Sequence, residues 1–321
     1  MQDSKSRSLK SFSRITKTVE TPKHQTSSLP NYLVSAAYML GRRVTSIPML
    51  LESLLQQEGM AMLGGSSDVG KTTFLRQLAV AVATGQDSFL GFKLNLRHKR
   101  AIYVSSEDDE ISVSALLYKQ YGESMKPDEL SRLHYIFDSG ESIIAKIDLA
   151  LSKQPADLVI LDAFGDFFAG DMNANNQVRA FLNRLAAISK KYGCCIVMLH
   201  HTTKKSERNG PSKGNMIGSQ GIEARMRCVF ELRKDPNDGT LRHLCIVKGN
   251  YLSEDFKKKS IVIKMSDNMI YTNTGSRVGL GYLTPDDPRE KLREERDELI
   301  VQYHNDGKSI REIEAKLNQD G

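Results

Sequence analysis

Apolar residues fall into two rhythms along this chain. Up to about residue 200, short unbroken apolar runs take turns with stretches of helical period. Met60-Ala61-Met62-Leu63, Ala101 to Ser105, Leu133 to Phe137, Leu158 to Asp162 and Cys194 to Leu199 read as strands. Leu158-Val159-Ile160-Leu161 has no polar alternation, as expected of a parallel strand covered on both faces. Phe74, Leu75, Leu78, Ala79 and Val82 share a helical period, as do Val178, Phe181, Leu182, Leu185 and Ile188, and each set predicts a helix with one apolar stripe. Two more helices are expected over residues 110–121 and 141–152. This alternation predicts an α/β fold with a doubly wound, mostly parallel sheet.

The second rhythm begins near Cys228. Cys228 to Leu232, Arg242 to Val247, Ser260 to Lys264 and Met269 to Tyr271 read as strands joined by short turns such as Asp235-Pro236-Asn237-Asp238-Gly239. They predict an antiparallel extension on the sheet edge. Upstream, Tyr32 to Leu40 suggests a short helix, and Ile47 to Leu50 with Leu54 and Leu55 leads into the first strand. Downstream, residues 289–304 predict a charged helix with Leu292, Leu299, Ile300 and Tyr303 on one face, followed by an Asn305-Asp306-Gly307 turn. Ser309 and Glu312 then form a capping box for a helix carrying Ile310, Ile313 and Leu317. The expected organisation is a disordered Ser/Thr/Lys-rich basic arm (1–28), one large α/β domain (29–280) and a small C-terminal helical appendage (285–321).

The composition, 40% hydrophobic and 26% charged, is that of a globular protein. No tract of eighteen apolar residues and no signal-peptide core are present, which predicts a cytoplasmic protein without a membrane partner. Cys194, Cys195, Cys228 and Cys245 sit in strand-like segments without C-x-x-C spacing and are expected to be buried reduced thiols. The net charge is +6. Residues 1–24 carry +4 and residues 285–321 carry −4, so the middle of the chain is basic as well, which suits a polyanionic partner. The arm is then either an inert tail or an electrostatic contact.

Chemistry concentrates at Gly65-Ser66-Ser67-Asp68-Val69-Gly70-Lys71-Thr72, which fits G-x-x-x-x-G-K-[ST] and lies between a strand and a helix. Its glycines let several backbone N–H groups face one phosphate, Lys71 adds a cation, and Thr72 offers a hydroxyl to Mg²⁺. ATP and Mg²⁺ are the expected ligands. Gly65, Ser66, Val69, Gly70, Lys71, Thr72 and Thr73 are the candidate nucleotide-binding residues, and Asp68 is expected to face solvent. Asp162 ends a buried strand, where an aspartate on the Mg²⁺ side belongs. Glu107, in Ser105-Ser106-Glu107-Asp108-Asp109, can face the γ-phosphate as catalytic base if its strand borders the phosphate loop; the alternative is a helix-capping acid. His200 and His201 are adjacent on a strand, point to opposite faces and so do not form a metal pair. Thr202 to Gln220, with Lys204, Lys205, Arg208 and Lys213 and no aromatic residue, reads as a loop gripping a phosphate backbone or as a solvated surface loop.

These residues resemble the RecA-like ATPases, and within them the RepA-type hexameric replicative helicases of plasmids and mobile elements. The likeness spans about residues 45–275. It rests on the phosphate loop, Ser106-Glu107-Asp108, Leu161-Asp162, Leu199-His200-His201, Gly218-Ser219 followed by Arg227, and Val247-Lys248-Gly249-Asn250-Tyr251. The resemblance implies Glu107 as base, Asp162 on the Mg²⁺ side, His201 as phosphate sensor, and Arg227 and Lys248 as cations reaching a neighbouring subunit's site. It also implies a hexameric ring on single-stranded DNA, acting with other replication or mobilisation proteins. Leu116-Leu117 departs from the family, whose members often carry an Arg-Leu pair there. The C-terminal helices resemble the first two of a resolvase-like helix-turn-helix. An ATP-gated switch or loader that does not unwind is the competing expectation.

Overall fold

The computed structural model describes residues 32–317 except 123, 173, 203–205, 207, 217–221, 223–224 and 285–287, with backbone only for 288–295 and 315. The basic arm expected over 1–28 lies outside the described residues. Two units divide at residue 47. In the first, helix α1 (Ala36–Gly41) is capped by the Ser35 hydroxyl and buries none of its residues.

The second unit is built on a nine-stranded sheet. In chain order its strands are β3 (Gly59–Gly65), β6 (Ala101–Ser105), β7 (Leu133–Phe137), β8 (Leu158–Asp162), β9 (Cys195–His201), β10 (Cys228–Lys234), β11 (Leu241–Gly249), β12 (Lys259–Met265) and β13 (Tyr271–Gly279). Two hairpins, β1–β2 (Met49–Leu51, Leu55–Gln56) and β4–β5 (Ser88–Phe89, Phe92–Lys93), stand outside it. The strand order is β13-β12-β11-β10-β3-β9-β8-β6-β7. From β10 to β7 every pairing is parallel; from β10 to β13 every pairing is antiparallel. The antiparallel extension is thus present, and all six parallel strands end on one side.

Alternation along the strands explains the layers. Ala61 and Leu63 of β3 and Leu158 and Ile160 of β8 face helix α2 (Lys71–Ala83), together with Phe74, Leu75 and Leu78. The helices expected over 110–121 and 141–152 are α3 (Glu110–Tyr121) and α4 (Ile143–Lys153). Met60, Met62, Val159 and Leu161 face away from α2, onto α4, the short α5 (Phe164–Phe167) and α6 (Asn175–Tyr192). The stripe Val178, Phe181, Leu182, Leu185 and Ile188 is buried there, and α6 stops at Gly193 in the left-handed conformation. All four cysteines are buried and reduced, and burial pushes the Cys194 and Cys228 thiols up to about 12.

Two expectations change. Only Tyr271 of the strand expected over Met269–Tyr271 belongs to β13, which runs on to Gly279, because an edge strand exposed along most of its length carries no apolar alternation to read. Strand β6, which carries Glu107 at its end, pairs with β8 and β7 and not with the phosphate-loop strand β3; β9 and β8 intervene.

At the C-terminus, helices Pro288–Asn305 and Ile310–Leu317 flank a turn with Gly307 at a φ of 79°. Glu312 accepts from the Ser309 backbone N–H at 2.8 Å and hydroxyl at 2.7 Å. Ile313 is buried, whereas Ile310 is 81% exposed.

Buried Asp157 ties the start of β8 to the loop before β6, accepting from the backbone N–H groups of Arg97, His98 and Lys99 at 3.0, 2.9 and 2.7 Å. Asp157→Ala strands those donors and is expected to cost about 2–3 kcal/mol, read as a lower denaturation midpoint.

Candidate functional site

The phosphate loop joins β3 to α2, and its curvature comes from residues that tolerate left-handed backbone. Gly70 has a φ of 95°, and a Cβ there would lie 2.0 Å from the Tyr271 hydroxyl. Asp68 has a φ of 60° and is exposed, as expected. The loop is braced from the antiparallel strands: Arg242 Nε donates to the Val69 carbonyl at 2.9 Å, and the Tyr271 hydroxyl donates to the Gly70 carbonyl at 3.3 Å. Val69 and Thr73 are buried in the fold.

Lys71 is buried at the loop's mouth, where its Nζ donates to the carbonyls of Gly65 (2.9 Å) and Ser66 (2.7 Å) and lies 3.4 Å from His201 Nδ1. Burial lowers its pKa to about 8, against the pull of Asp162, Glu107 and Asp68. The other ring nitrogen of His201, Nε2, lies 3.2 Å from Glu107 Oε1. Although β6 is two strands removed from β9, Glu107 therefore reaches the centre from the far side. His200 points oppositely and packs edge-on against Phe164, 6.2 Å away. Among the described residues no cluster of three His, Cys, Asp or Glu side chains could hold a metal ion.

Asp162 is buried at the end of β8. Its Oδ2 accepts a 2.5 Å hydrogen bond from the Tyr103 hydroxyl, and its Oδ1 has no well-formed hydrogen bond among the described residues. Burial raises its pKa; hydrogen bonds from Tyr103 and Thr72 oppose the rise. A buried carboxylate oxygen in want of a partner, facing a threonine hydroxyl beside a phosphate-binding loop, fits a Mg²⁺–nucleotide held by Thr72 and Asp162. Bound Mg²⁺ would draw charge from the phosphate oxygens.

Several contributors went unread in the sequence. Arg76 is 2% exposed inside α2 and reaches Gln120 Oε1 (3.3 Å) and Asp108 (3.8 Å), which steadies the turn carrying Glu107. Its signal was a charge inside an apolar stripe. Tyr103 looked like one more strand residue. Buried Glu231, on β10 opposite Gly64 of β3, accepts from Ser212 N–H (2.9 Å) and Asn215 Nδ2 (3.1 Å) and pairs with Arg233 at 2.6 Å. Arg233 donates to the Ser206 and Asn209 carbonyls. Together they hold down the loop that starts after His201, whose neck is closed by a Thr202–Met216 bridge against Gly64. On that loop Arg208 and Lys213 are exposed, while Lys204, Lys205, Gly218 and Ser219 lie outside the described residues.

Arg227 and Lys248 do not join this centre. Arg227 N–H bonds the Met60 carbonyl at 2.8 Å, near the leading end of β3, and Lys248 pairs with Val229, which is level with Met62 in mid-strand. Along β3, Met60 stands five residue steps, about 17 Å, before Gly65 at the phosphate loop, and Met62 three steps, about 10 Å.

The Lys71 ammonium is complete below pH 8 and lost above it, and a bound phosphate favours the charged form. Nucleotide affinity is therefore expected to weaken as pH rises past about 8, by up to about tenfold per unit, in a fluorescent-nucleotide titration; Lys71→Arg should flatten the dependence.

No curated protein matches the chain. A solved structure whose title describes an ATPase domain superposes with a TM-score of 0.57 at 12% identity, over 74% of this chain and 95% of that one, and the fold it shares is the RecA-like one. No helix among the described residues is long and apolar enough to cross a membrane. Residues 25–207, more than half of the chain, match the AAA domain family, and the chain, with its phosphate loop on a RecA-like sheet, belongs to that family of P-loop ATPases.

Proposed function

We propose that this chain is an ATP-hydrolysing, ring-forming motor on single-stranded nucleic acid, most simply a RepA-type DNA helicase in the replication of a plasmid or mobile element. The observation that carries this reading is His201: its ring touches Lys71 on one side and Glu107 on the other, and the basic loop begins at the next residue. A change of charge beside Lys71 alters what both ring nitrogens can bond, so the loop's root senses the γ-phosphate. Arg208 and Lys213, with Lys204 and Lys205, would hold the DNA backbone. The working compartment would be the cytoplasm, with other replication or mobilisation proteins as partners.

In the reaction, Lys71 and the loop N–H groups hold the β- and γ-phosphates. Glu107 takes the proton of a water that attacks the γ-phosphorus in line; the bond to the β,γ-bridging oxygen breaks, and ADP leaves. Arg227, level with Met60, is too far from its own loop to help in the same subunit, and Lys248 stands level with Met62 in mid-sheet. Presented to a neighbour, they would neutralise its transition-state charge, so that hydrolysis would require a ring, hexameric in this reading.

Arg227→Ala should lower turnover by about 10³-fold or more with nucleotide affinity changed less than about twofold. Normal turnover would remove the trans assignment. Glu107→Gln should bind ATP and fail to hydrolyse it. For the motor itself, the ATPase rate per subunit should rise with protein concentration and again on adding single-stranded DNA; a flat, DNA-indifferent rate would favour an ATP-gated switch or loader.

A further inference from the structure

Because β6, β7 and β8 run parallel, the segments before them share one end of the sheet and the segments after them share the other. The leading end is mainly basic, with Asp128 and Glu129 before β7 and the backbone-bound Asp157 before β8 as its acids, and the trailing end is mainly acidic. At the leading end, Arg97-His98-Lys99-Arg100 precedes β6, and Arg132 and His134 flank the start of β7. His98, Arg100, Ser131, Arg132, His134, Gln154 and Pro155 line an open pocket of about 470 Å³ with no carboxylate in its wall. Neither Arg100 nor Arg132 has an ion-pair partner among the described residues. Arg100 donates to the Gln154 carbonyl, but its buried Nε has no hydrogen bond among them.

At the trailing end, about 17 Å away along five-residue strands, Glu107-Asp108-Asp109-Glu110 follows β6, Asp138 and Glu141 follow β7, and Asp166 follows β8. Arg76, Lys146 and Arg184 pair with Asp108, Asp138 and Glu141. Asp109, Glu110 and Asp166 are exposed and have no cationic partner among the described residues. One end holds guanidinium groups without counter-ions, and the other holds carboxylates without them.

We infer that the basic pocket at the leading end of β6, β7 and β8 docks the acidic trailing end of a second copy of this chain. The inference rests on the ring reading proposed above and gives it a surface. Two different, complementary patches on one chain make a head-to-tail contact, which closes into a ring when the rotation per subunit allows. Arg227 sits at the same leading end as the pocket, so this contact also turns it toward the neighbour's phosphate loop. Carboxylates of the neighbour supply the counter-ions that the pocket lacks, and like ends repel, which excludes head-to-head pairing.

The test uses the full chain with Mg²⁺ and a non-hydrolysable ATP analogue in sedimentation velocity at low and high salt. Arg100→Glu with Arg132→Glu makes both ends acidic; Glu110→Lys with Asp166→Lys makes both basic. Each variant alone should self-associate more than about tenfold more weakly than wild type, and an equimolar mixture should recover assembly by alternating the two. The single Arg132→Glu change, at an exposed residue, guards against misfolding: it should weaken association while binding ADP as wild type does. If wild type assembles and the variants assemble equally well, the docking surface is wrong and the ring reading stands. If the arginine variants assemble normally but lose single-stranded DNA affinity, the pocket belongs to nucleic acid and the inference fails. A wild type that stays monomeric with nucleotide at every salt concentration overturns the ring reading and this surface together.

Discussion

An ammonium group stripped of most of its water has to be surrounded by oxygen or aromatic nitrogen, and around Lys71 those atoms come from the ends of four different strands. Gly65 and Ser66 carbonyls follow from β3, His201 from β9, and the charges of Asp162 and Glu107 from β8 and β6. Only a run of parallel strands puts so many C-terminal ends on one side. The sheet is in this sense a device for delivering chemistry to one lysine. The apolar alternation that buries α2 on one face and α4 and α6 on the other holds the delivery in place.

The same directionality separates functions. What begins a parallel strand cannot touch what ends it, so Arg227, just before β10, is kept from its own loop while His201 and Glu107 reach it. The antiparallel strands contribute differently. They turn back beside β3 and place Arg242 and Tyr271 against the phosphate loop, and the Glu231–Arg233 pair on β10 pins the basic loop next to Gly64. A buried pair of this kind is weak evidence for stability, but it specifies geometry well, because carboxylate and guanidinium have few arrangements that satisfy all their hydrogen bonds. It gives a loop rich in polar residues a defined root.

Much of the fold could be read from the chain because the signals were local. Each parallel strand is an apolar run, each covering helix shows a 3.6-residue stripe, and the phosphate loop is a contiguous motif whose backbone demands glycine at position 70. For those elements, residue type and spacing suffice. Glu107, Asp162 and His201 were recognisable as strand-end residues for the same reason.

What tertiary structure decided is which strand ends meet. The sequence suggested that β6 would border the phosphate-loop strand; the sheet inserts β8 and β9 between them, and Glu107 still arrives, through His201. Arg76, Tyr103, Arg242 and Glu231 had no legible role, since each acts on a partner far away in the chain. The length of β13 and the opposition of charge between the two ends of β6, β7 and β8 were hidden likewise. Local pattern determines what an element is, because burial and backbone geometry act on neighbours in the chain. The order of the strands is a property of the whole packed core, and it alone determined which residues share a site.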